Sequence, residues 1–420
     1  MNDLPASTPL RTLPRIAVLL LLAWLAGCAS QPARVEASAR PEPLILISLD
    51  GFRPDYLDWP EAAQLSALAA SGARAEWMQP SYPSLTFPNH YTLVTGLHPD
   101  RHGVVNNTMR DAELGQFAMH LRQAVEDGRW WGGEPIWNTA QNQGLRAATM
   151  FWPGSEAAVQ GQRPRDWMRY DKAFDARRRV AQVLAWLAQP ADTRPDFITL
   201  YFEQVDTVGH DHGPDSAEVR RAVAEVDARI GELLQGLEDA GWAGRVNLVI
   251  VSDHGMAALD DGQPILLDTL APPNSFDLSS LGQVAGVRPR RGREAEVEAA
   301  LLKPHAHMQC YRRQELPARW QHGQHPRVPP ILCQAQPPHS ISLKRLQDMP
   351  GRARKRGAHG YDPELPEMRA LFLAAGPAFA PGTTLSPVRS VDVYALLCRL
   401  LGIQPAPHEG NPRAFDAALR

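Results

Sequence analysis

Aspartates and histidines recur at the ends of apolar runs in this chain, and that placement suggests metal chemistry. Asp50 closes the run Leu44–Leu49, Asp253 and His254 close Val246–Ser252, and Asp206 and His210 stand four apart just beyond Phe197–Phe202. Carboxylates and imidazoles without thiolates suit zinc or a similar divalent ion. Taken singly, a strand-end aspartate is more often a cap or turn former, and a lone histidine a satisfied polar group. Several such ends together, with the Asp-x-x-x-His spacing, make metal ligation the better reading. A further stretch, Ser84-Leu85-Thr86-Phe87-Pro88-Asn89-His90-Tyr91, places a proline where a first helical turn accepts one and Thr86 at the N-cap. A helix N-terminus offers free N–H groups to an anion. The Thr86 hydroxyl there becomes a nucleophile only where a cation lowers its pKa, and is otherwise a plain helix cap.

The elements that must position these groups follow from apolar patterning. Leu44–Leu49, Phe197–Phe202 and Val246–Ser252 are continuous apolar runs, as expected of central parallel strands buried on both faces. Arg369–Ala375 reads as a further strand and Ala147–Phe151 as a weaker one. Between Ala217 and Ala240, Val219, Val223, Val226, Ile230, Leu233, Leu234 and Leu237 form a helical stripe, opened by an Asp215/Glu218 capping pair and stopped at Gly241. Asp171–Leu187 and Glu61–Ala70 read as two more helices. Strands alternating with helices predict a three-layer α/β core with a mostly parallel sheet, and ligands then bind beyond the carboxyl ends of the strands. The rhythm breaks over residues 264–350, rich in Pro, Arg and His. These read as a small α+β insert with a helix at Glu294–Leu302 and strands at His307–Tyr311 and Ile331–Gln334. The catalytic core is then 43–263 and 351–420.

With 420 residues the chain can bury a large core, and its 38 prolines favour many ordered loops. A net charge of -3 gives no reason to expect a nucleic-acid surface or a polybasic membrane patch, and no protein partner is implied. Residues 1–28 read as an export signal: Arg11 and Arg15 precede the short apolar run Ile16–Leu25, and Leu25-Ala26-Gly27-Cys28 resembles a bacterial lipobox. That resemblance implies cleavage before Cys28, lipidation of its sulfur and a place in the cell envelope. An ordinary cleaved signal or an uncleaved anchor are the other readings. Residues 29–42 look like a tether. Cys398 lies in an apolar helical pattern, as a buried free thiol would. Cys310 and Cys333 share the insert and could pair in an oxidising compartment, which spacing alone leaves open.

The segments Leu49-Asp50-Gly51-Phe52-Arg53, Pro83–His90, Gly96–Gly103, Asp206-Thr207-Val208-Gly209-His210 and Ser252-Asp253-His254-Gly255-Met256 together resemble the nucleotide pyrophosphatase/phosphodiesterase family of the alkaline phosphatase superfamily. The resemblance runs from about residue 43 to about residue 405. It implies an alkaline-phosphatase-like fold and two divalent ions, zinc foremost. One ion would be held by Asp206, His210 and His359, the other by Asp50, Asp253, His254 and the Thr86 hydroxyl. Among 14 histidines, His305, His307, His322, His325 and His339 compete for the third place in the first set, and only the family pattern of Gly357-Ala358-His359-Gly360 selects His359.

The function implied is hydrolysis of phosphate diesters and pyrophosphates. Nucleoside 5′-monophosphates would be released through a covalent phospho-Thr86 intermediate, with net retention at phosphorus. Asn107 and the backbone N–H near Phe87 would donate to the phosphate oxygens, although Asn107 also fits a turn. Phe87, Tyr170 and Tyr201 would grip a nucleobase, although such aromatics also fit a core. Rival readings are a lysophospholipid or choline-phosphodiester phosphodiesterase, a phosphomonoesterase of the same superfamily, and a non-catalytic envelope lipoprotein.

Overall fold

The structure, a computed structural model, describes residues 40–260, 264–349 and 354–420. The export signal, Cys28 and all but the last residues of the tether lie outside the described residues, as do 261–263 and 350–353 at the two ends of the expected insert.

The chain from Pro41 to Arg420 folds around an eight-stranded sheet. Its strands are β1 (Leu44–Leu49), β2 (Ala73–Ala75), β3 (Ala147–Met150), β4 (Asp166–Met168), β5 (Phe197–Phe202), β6 (Asn247–Val251), β7 (Phe372–Ala375) and β8 (Thr383–Leu385). Their spatial order is β8-β2-β7-β6-β1-β5-β3-β4. The run β6-β1-β5-β3-β4 is parallel throughout. Among these eight strands, β7 runs against its neighbours, β6 and β2. All six residues of β1 are buried, which is why it reads as unbroken apolar sequence.

Alternation along β1 sorts its side chains onto two cores. Leu44 and Leu46 join Leu93 and Val94 of helix α2 (Thr86–Thr95) and Leu396 and Leu397 of the helix Val393–Leu401. Ile45, Ile47 and Leu49 join the opposite core. There they meet α1 (Ala63–Ser71), α3 (Ala176–Leu187) and α5 (Ala217–Asp239). Helices therefore cover both sheet faces, as the alternating pattern required. Three helix starts differ from expectation, α1 beginning at Ala63 rather than Glu61. Asp175, not Asp171, opens α3, its carboxylate accepting from the Arg177 and Arg178 N–H groups. Ser216, not Asp215, caps α5 by accepting from Val219 N–H.

The insert is built on a four-stranded antiparallel sheet, ordered Phe276–Ser280, Val284–Pro289, Ile331–Ala335, Met308–Arg312, with the helix Glu294–Leu301. The first two strands add to those the sequence predicts, since their Ser- and Gly-containing stretches show no clean alternation. Cys310 and Cys333 face each other across two of the strands and form a disulfide, while Cys398 is buried and free. The insert is not self-contained: Ala257, Ala358, Tyr361 and Met368 share its apolar core with Val287, Val297 and Leu301. A strap near its end lies on the main core. There Trp320 stacks on Tyr82 at 4.0 Å, and Arg327 reaches Asp111 and the carbonyls of Gly103, Arg129 and Trp130.

Candidate metal centre and active site

The parallel register brings the functional strand ends level. Ser48 of β1 pairs with both Tyr201 and Val251, so Asp50 emerges beside the residues that follow β5 and β6. Asp253 and His254 follow β6 and are fully buried. Helix α4 (Gln204–His212) begins just after β5, and its turn brings Asp206 and His210 onto one face, with Oδ1 and Nε2 3.4 Å apart. Gly51 has φ +67, a conformation that favours glycine, and a Cβ there would press on Asp206 Cα and Cβ at 3.1 Å. His359 is delivered by the two-residue strand Gly357–Ala358, which pairs with Ala257–Ala258. The residues proposed for the two ions therefore form one cluster at the carboxyl edge of the sheet. Three subsets of this cluster could each hold a cation: Asp206/His210/His359, Asp50/Asp206/His254 and Asp50/His90/Asp253.

Hydrogen bonding fixes which ring nitrogens face inward. The Nδ1 atoms of His210, His254 and His359 lie 2.8 Å from the Gly357 carbonyl, 2.9 Å from that of Gly255 and 2.9 Å from that of Ser84. A carbonyl only accepts, so each Nδ1 carries a proton and each ring turns its Nε2 into the cluster. The Nε2 atoms of His210 and His359 then face each other at 3.1 Å. His254 Nε2 lies 2.9 Å from Asp253 Oδ2 and 3.6 Å from Asp50 Oδ1. Imidazole nitrogens and carboxylate oxygens converging at these separations suit a cation lying among them. Asp50 Oδ1 and Asp206 Oδ1 are buried without a hydrogen-bond partner, which is costly unless a metal satisfies them. The donor set therefore fits divalent ions, held by imidazoles whose opposite N–H is anchored to backbone.

Electrostatics agree. Burial, with Asp253 and Asp206 nearby, pushes the Asp50 carboxyl well above the usual range. Burial works in the same direction on Asp253, but His254 and His90 beside it hold that carboxyl well below. Burial, with His254 and His210, drives His359 well below the ordinary imidazole range. So many buried anions need added positive charge to ionise together.

Thr86 stands at the edge of this cluster, its Oγ1 3.3 Å from His254 Nε2. It is the first residue of α2, and the N-cap position belongs to Leu85, so the expected capping role does not hold. The hydroxyl is thus free of a backbone partner and directed at the ligands. Pro88 does fall in the first turn. Asn107 Oδ1 accepts the Phe87 N–H at 2.9 Å. That N–H, expected to bind phosphate, is therefore engaged, and Asn107 is left with its amide N–H2 to offer.

The three aromatics differ. Phe87 is half-buried against Phe117 and Trp131, with centroids at 6.0 and 5.8 Å. Tyr170 is half-buried, edge-on to Phe151. Tyr201 is only 7% exposed, and its hydroxyl donates to Asp50 Oδ2 at 2.6 Å. It braces Asp50 rather than offering an open ring face. His90, which the sequence shows only as part of the Ser84–Tyr91 motif, lies inside the centre. Its position one turn after Thr86 on α2 is the signal that could have marked it.

A three-layer α/β architecture with this carboxylate–imidazole cluster at the sheet's carboxyl edge and a hydroxyl beside it can hold divalent ions, and it agrees with the alkaline-phosphatase-like fold that the sequence resemblance implies. The family described as type I phosphodiesterase / nucleotide pyrophosphatase matches residues 44–362. A venom phosphodiesterase of Crotalus durissus collilineatus is 35% identical over 415 residues, covering 94% of this chain and 49% of that protein. Ectonucleotide pyrophosphatase/phosphodiesterase family member 3 of Bos taurus is 35% identical over 404 residues, covering 93% and 45%. Murine ectonucleotide pyrophosphatase/phosphodiesterase 5, in an inactive form in complex with AMP, superposes with a TM-score of 0.85 at 32% identity, covering 90% of this chain and 100% of that one. The chain belongs to the type I phosphodiesterase / nucleotide pyrophosphatase family. It spans about half the length of the curated relatives it matches.

Proposed function

We propose that this protein hydrolyses phosphate diesters and pyrophosphates of nucleotides, releasing nucleoside 5′-monophosphates, with Thr86 as the nucleophile. The observation that carries the reading is a helix-N-terminal hydroxyl 3.3 Å from an inward-facing imidazole nitrogen, beside unsatisfied buried carboxylates. Asp206, His210 and His359 would hold one divalent ion, and Asp50, Asp253, His254 and Thr86 Oγ1 the other, with zinc the best match to these donors. Bound there, the ions lower the pKa of a coordinated hydroxyl and neutralise charge on phosphate oxygens.

The chain's own part follows from position. Thr86 Oγ1 forms a bond to phosphorus as the bond to the leaving oxygen breaks, leaving a phosphodiester on Thr86. The proton lost by Thr86 in that step passes through solvent to the leaving oxygen; water then bonds to the same phosphorus as the Thr86–phosphorus bond breaks, and a proton from that water restores the Thr86 hydroxyl. Asn107 is held by the Phe87 N–H beside the nucleophile, and its amide donates to a non-bridging oxygen. Phe87 and Tyr170 are the aromatics with exposed ring surface for a base. The AMP complex of the murine relative supports a nucleotide substrate.

Among the described residues no helix is long and apolar enough to cross a membrane. We place the protein outside the cytoplasm, anchored through lipidated Cys28. The Cys310–Cys333 disulfide supports an oxidising compartment.

The test is turnover of nitrophenyl thymidine monophosphate against nitrophenyl phosphate and nitrophenyl phosphorylcholine, with metal analysis of the same sample. Preference for the nucleotide diester and about two zinc ions per chain are expected. Preference for either other ester would overturn the substrate assignment. Thr86→Ala should keep its metal and fold yet lose at least about a thousandfold in kcat. Full activity in that variant would remove Thr86 from its role.

A further inference from the structure

His90 lies at the centre of the cluster, fully buried, and the mechanism above does not use it. Its nitrogens are oriented differently from those of the three ligand histidines. Nδ1 is 2.9 Å from the Thr86 carbonyl, so Nδ1 carries the proton, and that same N–H edge lies 3.3 Å from Asp253 Oδ2. Nε2 lies 2.7 Å from Ser48 Oγ, whose hydroxyl supplies the hydrogen to it. The ring therefore turns a proton toward the carboxylates and spends its lone pair on a serine. With both nitrogens engaged in this way, the ring has no electron pair left for a cation, although its distances to Asp50 and Asp253 would otherwise qualify it.

We propose that His90 is a positioning residue: it ties the nucleophile's helix to the metal-binding edge of the sheet and is not itself a ligand. The inference rests on the reading of Thr86 as the nucleophile. Three segments meet on this one ring. Ser48 is two residues before Asp50 on β1, Thr86 begins α2, and Asp253 follows β6. The His90 carbonyl is itself held by Trp152 Nε1 at 3.0 Å, and the ring is flanked edge-on by Trp152 and Tyr201. The imidazole is thus fixed from several sides while it fixes the first turn of α2. A shift of that turn by a fraction of an ångström moves Thr86 Oγ1 out of line with phosphorus, where rates are most sensitive.

The experiment compares wild type, Thr86→Ala, His90→Leu, His90→Asn and Ser48→Ala. All are saturated with zinc and assayed for metal content, thermal midpoint and steady-state turnover of nitrophenyl thymidine monophosphate. In His90→Asn the amide N–H replaces Nδ1–H. Expected for His90→Leu is a full metal complement, KM within a few-fold of wild type and kcat lower by about 10- to 100-fold. His90→Asn should recover much of that loss, and Ser48→Ala should show a smaller loss of the same kind. Loss of one ion per chain in His90→Leu would make His90 a ligand and overturn the proposal. So would a kcat loss that follows the thermal midpoint alone, with no recovery in His90→Asn. If wild type cleaves no diester, or Thr86→Ala remains active, the functional reading itself fails. If those two behave as expected and His90→Leu keeps its kcat, only this inference fails.

Discussion

At the scale of single residues, the proposed centre pairs most of its candidate ligands with a second group. Asp50 accepts from the Tyr201 hydroxyl at 2.6 Å, and each ligand histidine donates Nδ1–H to a backbone carbonyl. Such partners hold the donor atoms in place before a cation arrives. Tyr201→Phe removes one of them and leaves the ring packing intact. Zinc affinity, measured by competition with a chelator, should then fall by about 10- to 100-fold, with kcat at saturating zinc changed far less. Unchanged affinity would show that the hydroxyl contributes nothing to the site. That Asp50, Asp253 and His254 share one sheet edge was legible because buried apolar runs that end in carboxylates and imidazoles bring those groups together there. His359 was not legible from spacing. It lies 149 residues from His210, beyond an insert full of competing histidines, and needed the family pattern. The Phe87–Asn107 bond and the tyrosine–aspartate bond were invisible because nothing in the sequence links their partners.

At the scale of elements, β1, β5 and β6 position the centre, and these were the easiest to read, being buried on both faces. The turn after β1 does as much. Gly51 combines a left-handed backbone with contact to Asp206, whereas Gly115 is left-handed (φ +82) with open space around it. Alanine at either site costs about 1–2 kcal/mol of backbone strain. Gly51→Ala should in addition displace Asp206 and lower the metal content, whereas Gly115→Ala should bind a full complement. Denaturant melts and metal analysis of the pair check this, and equal metal content in both would contradict the close-approach argument. Boundaries were less legible than cores. The starts of α3 and α5 fall elsewhere than the pattern suggests because Asp171 and Asp215 are as good caps in composition as Asp175 and Ser216. The strands Phe276–Ser280 and Val284–Pro289 leave no clear mark because short antiparallel strands in a small subdomain lack continuous apolar sequence.

At the scale of the whole molecule, the insert is joined to the core by shared packing and by the strap that carries His322. Burial pushes the His322 imidazole down to about 4, against the pull of Asp100. In the unfolded chain it would titrate near 6.5. Above that pH both states are neutral there and the strap keeps its full stability. Between about 6.5 and about 4 the unfolded chain takes up a proton that the folded one refuses, so stability falls as pH falls. His322→Gln removes this titration. Urea melts should show wild type losing more stability than the variant between pH 7 and pH 4.5, and parallel losses would contradict the assignment. The docking of insert on core was not legible, since Tyr82 and Trp320 or Asp111 and Arg327 are joined only by the completed fold.

The most direct test of the central claim, that Thr86 becomes the attacking oxygen, is the stereochemical course at phosphorus. Hydrolysis of a chiral phosphorothioate diester in isotopically labelled water should proceed with net retention, because two in-line displacements, first by Thr86 and then by water, invert the centre twice. Net inversion would mean that water attacks phosphorus directly and that no ester on Thr86 is formed.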